Sequence, residues 1–232
     1  MESVVLDLLA DRHPERARDF ALAWAEQRSA SWANAAREAE ARCASDGHRP
    51  AIRGQLRYHL GEKALADAAR AANLGAMPLR TTPPGGVFNV ARVGRFAVVS
   101  LSVRAAHLTP RKSLTRKLLA QSNIDLEPQR SLPFGSTPNA RGATELAYFG
   151  CVVAVAWKKD PTVPAELAFA VPNVELNDWI AWIPLYRVHA LLQERADRKA
   201  TGGASGDAFT DKVFPRFRLP KPDEKSDDGK GA

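Results

Sequence analysis

The sequence predicts an α+β protein: an N-terminal helical layer packed on a mostly antiparallel sheet of two β-hairpins, each followed by a helix, with a disordered C-terminal tail. Three observations lead there. Residues 1–77 carry helical apolar spacing. Two later segments are rich in β-branched and aromatic residues and are divided by turn residues. Past residue 199 the apolar positions thin out into a Gly/Ser-rich and then charged stretch. This divides the 232 residues into a helical region (1–77), an α+β region (78–199) and a tail (200–232).

In the helical region, Val4, Val5, Leu8 and Leu9 make a short apolar stripe that ends before Pro14. Pro14 is a favoured first-turn residue for a long helix reaching about Ala44, with Phe20, Trp24, Trp32 and Ala35 along one face and Ser29 and Ser31 as its weak point. Asp46-Gly47 turns the chain. A third helix starts near Pro50, carries Ile52, Leu56 and Leu60 as its core stripe, and ends at Asn73-Leu74-Gly75. Gly54 and Gly61 share a face of it and permit close approach of a helix or a ligand.

Met77–Gly86, with Pro78, Pro83, Pro84, Gly85 and Gly86, reads as a connector. Val87–Val93 and Phe96–Val103 form the first hairpin, with Gly94 at the first position of a type II′ turn. Thr109-Pro110 supplies an N-cap and first-turn proline for a helix over Arg111–Gln121, whose Leu114, Leu118 and Leu119 face the sheet. A loop containing Pro128, Pro133, Gly135 and Pro138 leads to the second hairpin, Glu145–Trp157 and Ala165–Val171. Leu176–Ile183 holds Trp179 and Trp182, and Pro184 opens the last amphipathic helix, to about Lys199. In the tail, Lys212–Pro220 mixes aromatic and basic residues, a composition suited to docking on a partner or on nucleic acid.

The charge is uneven. Of 33 Lys and Arg against 26 Asp and Glu, residues 1–77 hold eleven of each sign. Residues 78–143 hold ten basic residues against only Asp125 and Glu127. The net +7 is therefore a local surplus of the first hairpin–helix unit, not a general bias. Its sharpest feature is the expected helix start at Arg111 and Lys112, followed by Arg116 and Lys117. Cations there oppose the helix dipole by a few tenths of a kcal/mol each, and a bound anion would offset that. Arg49, Arg53 and Arg57 repeat the pattern at i, i+4 and i+8 of the third helix. They suit phosphate or carboxylate recognition, or pair with Glu38, Glu40 or Asp46. Arg92 and Arg95 flank the hairpin tip, where a basic ribbon fits a nucleic-acid groove. These nine residues are the candidate nucleic-acid contacts.

The chemistry of common sites is missing from the sequence. His13, His48, His59, His107 and His189 show no zinc spacing, and P-loop, dinucleotide and nucleophile-elbow motifs do not occur. No cofactor or metal is expected. Cys43 and Cys151 read as buried free thiols, the first nine residues lack a secretory pattern, and no apolar run approaches a membrane span of about 20 residues. The expectation is a cytoplasmic protein, of bacterial composition in its Arg and Ala usage, that binds nucleic acid, DNA before RNA, without catalysis. Two alternatives stand beside it. One is a Mg-dependent nuclease using carboxylates among Glu145, Glu166, Asp125, Glu127 and Asp160. The other is an interaction or inhibitor module for an acidic protein.

Overall fold

The computed structural model describes residues 1–11, 13–43, 45–106, 108–127, 147–156 and 159–201. Glu145, His107, Trp157, Lys158, the Pro128–Pro138 loop and the Lys212–Pro220 stretch lie outside the described residues.

Among the described residues the chain is α+β, with five α-helices and one six-stranded sheet. Helices α1 (Glu2–Leu9), α2 (Pro14–Arg42) and α3 (Arg49–Ala71) come first. Strands β1 (Ala76–Arg80), β2 (Val87–Val93) and β3 (Phe96–Val103) follow, then α4 (Leu114–Ala120) and a 3-10 turn over Gln121–Leu126. The chain continues through β4 (Tyr148–Ala156), β5 (Pro164–Pro172), β6 (Trp179–Pro184) and α5 (Leu185–Thr201). Spatial order equals chain order. Every neighbouring pair is antiparallel except β3 and β4, which run parallel from Phe96↔Tyr148 to Val103↔Val155. The return from the end of β3 to the start of β4 explains that exception: parallel neighbours need a crossover, and α4 with the 3-10 turn lies in it.

Side-chain alternation sorts the strands between two cores. Ala91, Val93, Phe96, Val98, Val152 and Phe169 meet α1, α2, α3 and α5. Val90, Ala97, Val99, Leu101, Phe149 and Cys151 point to the other face, with Leu119 and Ala120 of α4. Helices α2 and α3 pack on each other, and both bury alanines: Ala35 and Ala39 on α2, Ala64 and Ala68 on α3. Cys43 and Cys151 are buried free thiols. No helix among the described residues is long and apolar enough to cross a membrane.

Several elements differ from expectation. Helix α2 is continuous through Ser29 and Ser31, because the Ser31 hydroxyl donates to the Arg28 carbonyl within the helix and leaves the backbone ladder intact. The expected connector begins as edge strand β1, whose Pro78 is tolerated because an edge leaves one side unpaired. The tryptophan segment is a sixth strand, making the second hairpin a three-strand meander, and Pro184 ends β6 before α5 starts. The middle helix starts at Leu114 and not at Arg111. Its cap is Ser113, whose hydroxyl accepts from the Arg116 N–H at 3.3 Å. The hairpin turn matches its expectation: Gly94 has φ +54°.

Candidate functional site

The site forms where the end of β3 runs out from under the helices. On β3, Phe96 and Val98 fill the helix-side core, but the next two residues on that face are Ser100 and Ser102. The apolar seal therefore ends there. A cleft of about 470 Å³ opens between α3 (Gly54, Arg57, Tyr58), the end of β3 and the segment leading into α4 (Thr109, Arg111, Arg116). Arg28, Arg57, Arg104, Arg111 and Arg116 line it, and among the described residues no Asp or Glu does.

Arg28 is its deepest cation. It occupies the buried stripe of α2, four residues after Trp24 and four before Trp32, and is 1% exposed. Nη1 donates to the Arg57 carbonyl at 2.9 Å and Nη2 to the Ser102 hydroxyl at 2.5 Å, while Nε has no hydrogen-bond partner among the described residues. Gly61 makes the room: a Cβ there would run into the Arg28 guanidinium. Arg57, one turn earlier on α3, donates from Nη2 to the Pro161 carbonyl at 2.6 Å. Both guanidinium groups lie over the Trp32 ring, at 5.1 Å for Arg28 and 3.8 Å for Arg57. That cation–π contact offsets part of the mutual repulsion. Among the described residues neither arginine forms an ion pair.

The electrostatics follow from burial. Desolvation lowers Arg28 to about 10, helped by Arg57 and opposed by Glu62. Desolvation, then Arg53, lowers Arg57 to about 10. Both stay charged at neutral pH. Glu62, on α3 behind the cleft and 8% exposed, is pushed up to about 7 by burial, against the Asn89 N–H it accepts and the charges of Arg28 and Arg116. Asn89 returns a second bond, Nδ2 to the Glu62 carbonyl at 3.0 Å, fixing α3 to β2. Tyr58 donates to the Val87 carbonyl at 2.9 Å, and its phenol is raised by burial and by Glu62. Five guanidinium groups along one cleft supply planar donors and positive charge, chemistry that suits an anion.

Of the nine sequence candidates, Arg57, Arg111 and Arg116 line the cleft, and Arg53 acts on it through Arg57. Arg111 and Lys112 precede α4 and are not in its first turn, so they do not oppose its dipole; Arg116 instead donates to the Arg111 carbonyl at 3.0 Å. Lys112 and Lys117 are exposed outside the lining set. Arg49 pairs with Asp46 at 2.9 Å and donates to the Cys43 carbonyl. Arg92 and Arg95 are at the opposite end of the sheet. Arg92 pairs with Ala97, six residues of β3 before Val103, which is about 20 Å at the rise of an extended strand. The hairpin tip is no free ribbon either, since the Arg95 N–H donates to the Leu8 carbonyl at 2.9 Å.

Sequence reasoning missed Arg28 and Arg104. Arg104 belongs to the basic segment already noted. Arg28 had a signal: an arginine at the i+4 position between two core tryptophans, opposite a glycine of the neighbouring helix. Of the carboxylates weighed for a nuclease, Glu145 lies outside the described residues, and three of the others have local partners. Glu166 accepts from Trp182 Nε1 at 2.8 Å, Glu127 accepts from the Val174 N–H at 2.7 Å, and Asp160 is held by Thr162. No group of three or more His, Cys, Asp or Glu stands together among the described residues. No protein-family model, no curated protein and no solved structure matches the chain, so the cleft's own residues carry its functional reading.

Proposed function

We propose that this chain is a nucleic-acid-binding protein that acts without catalysis, and that the arginine cleft between α3, β3 and α4 takes the phosphates. One observation carries the reading: among the described residues, five arginines line a single cleft that no carboxylate lines. Arginines crowded together with only the half-ionised Glu62 behind them cost stability through repulsion and desolvation, and a phosphate on them relieves both costs. Their planar forks match phosphate oxygens in pairs. The remaining surplus of basic residues 78–143, including Lys112 and Lys117, adds a weaker field around the mouth.

Binding of DNA and RNA oligonucleotides, followed by fluorescence anisotropy at about 50 mM salt, tests this. Affinity is expected to fall steeply with salt, with a log–log slope of about −0.7 to −0.9 per phosphate neutralised. Arg111→Glu with Arg116→Glu is expected to weaken binding by more than tenfold. Arg92→Glu with Arg95→Glu, the same charge change at the far end of the sheet, is expected to change it by less than threefold. Failure of both nucleic acids to bind at low salt would overturn the reading.

A further inference from the structure

We propose that the cleft takes a phosphate monoester at the end of a nucleic-acid strand, and not the phosphodiesters within one. This rests on the nucleic-acid reading above and adds what part of the polymer is bound.

Depth is the first ground. Arg28 is 1% exposed, yet it lines the cleft, with its guanidinium anchored to Ser102 and to the Arg57 carbonyl. An internal phosphodiester continues into chain on two sides, and both continuations must clear the walls formed by α3 and the segment before α4. A terminal phosphate has chain on one side only and can enter end-on.

Charge is the second ground. A monoester carries about −1.5 to −2 at pH 7 and three strong acceptor oxygens, whereas a diester carries −1. Arg57, Arg104, Arg111 and Arg116 line the same cleft as Arg28, with no carboxylate among the described lining residues, an excess suited to the higher charge. Ser100 and Thr109 are also lining residues. Size agrees: about 470 Å³ lies in the range of small-molecule pockets, room for one nucleotide. Finally, the α3 wall is cut back at Gly54, where an added Cβ meets nothing within 4 Å. A tryptophan there would occupy the cleft without entering the core.

The experiment uses the full chain and one 12-nucleotide single strand in three forms: 5′-phosphate, 3′-phosphate and no terminal phosphate, each with its fluorophore at a free end. AMP and inorganic phosphate serve as competitors. The expected result is at least tenfold tighter binding of one phosphorylated form, which identifies the end. That advantage is expected to vanish in Gly54→Trp and in Arg111→Glu, both at exposed positions. Equal binding of all three forms overturns the end-on proposal and leaves the nucleic-acid reading standing. An advantage that survives in both variants places the monoester elsewhere and overturns the proposal. If AMP binds while no strand does, the monoester site holds but its source is a free nucleotide, and the nucleic-acid reading falls. If neither strands nor AMP bind, both fall.

Discussion

At the scale of single residues, the molecule turns on a charge placed where a hydrophobic side chain would ordinarily be. Arg28 is held by neutral acceptors and a π-face instead of by a carboxylate, and Gly61 is the residue that admits it. Gly61→Ala gains about 1 kcal/mol of helix propensity but displaces a buried, hydrogen-bonded guanidinium whose bonds are worth about 1.5–3 kcal/mol. A net loss of about 1 kcal/mol is expected in urea unfolding. In the Arg28→Ala background the same substitution should become neutral or stabilising, a coupling that a double-mutant cycle reads directly. Glu62 provides the second residue-scale expectation. Its folded pKa, about 7, lies above the ordinary 4.5, so the fold prefers its protonated form. Below about pH 4.5 it is protonated in both states and costs nothing. As pH rises from 4.5 through 7 the unfolded chain gives up its proton first, and stability falls, by about 3 kcal/mol in all. Glu62→Gln should remove that slope between pH 5 and 8 and raise stability at pH 8.

At the scale of elements, the hairpin tip shows how far local signals reach. Glycine at a two-residue turn was legible because only a positive φ continues the strand twist there. That the tip packs under the end of α1 was not, since nothing in Gly94-Arg95 names its tertiary neighbour. The contact gives Gly94 a second reason to lack a side chain: an added Cβ would strike the Leu8 and Leu9 carbonyls. Gly94→Ala is therefore expected to destabilise by about 2–4 kcal/mol, from left-handed strain plus the clash, measured as a lowered urea midpoint with unchanged slope. The start of α4 is the converse case. Thr109-Pro110 and Ser113 are both plausible caps, and sequence alone chose the earlier. Pro110 is instead buried, and the chain enters the helix only at Leu114. Strands β1 and β6 escaped notice because prolines and tryptophans dilute their alternation, and edge strands need less of it.

At the scale of the whole molecule, the class was readable because helical spacing and β-branched runs occupy separate parts of the chain. Adjacency of β3 and β4 was not, because it depends on a crossover longer than any local pattern. That parallel junction also places the cleft, since the segment leaving β3 must cross toward α4 and carries Arg104 and Arg111 with it. The count of charges along the chain found this segment but counted residues 1–77 as neutral, so it hid the contribution of Arg28 and Arg57. Neutral sums conceal charge that folding separates: Asp46 takes Arg49 and Glu38 takes Arg42, while Arg28 and Arg57 turn toward the cleft.

The two guanidinium groups over Trp32 also make the site optically addressable. An indole's excited state has a larger dipole than its ground state, so a cation 3.8 Å from the ring shifts its emission. An anion that draws Arg57 outward would move that cation and change the colour and yield of Trp32. Trp24 is enclosed elsewhere in the helical core, Trp179 and Trp182 meet edge to face at 5.3 Å on the opposite face of the sheet, and Trp157 lies outside the described residues. Titration with the bound phosphate is expected to change the intrinsic fluorescence of the native chain, and Trp32→Phe is expected to abolish most of that change. The protein thus carries its own reporter, needing no attached dye.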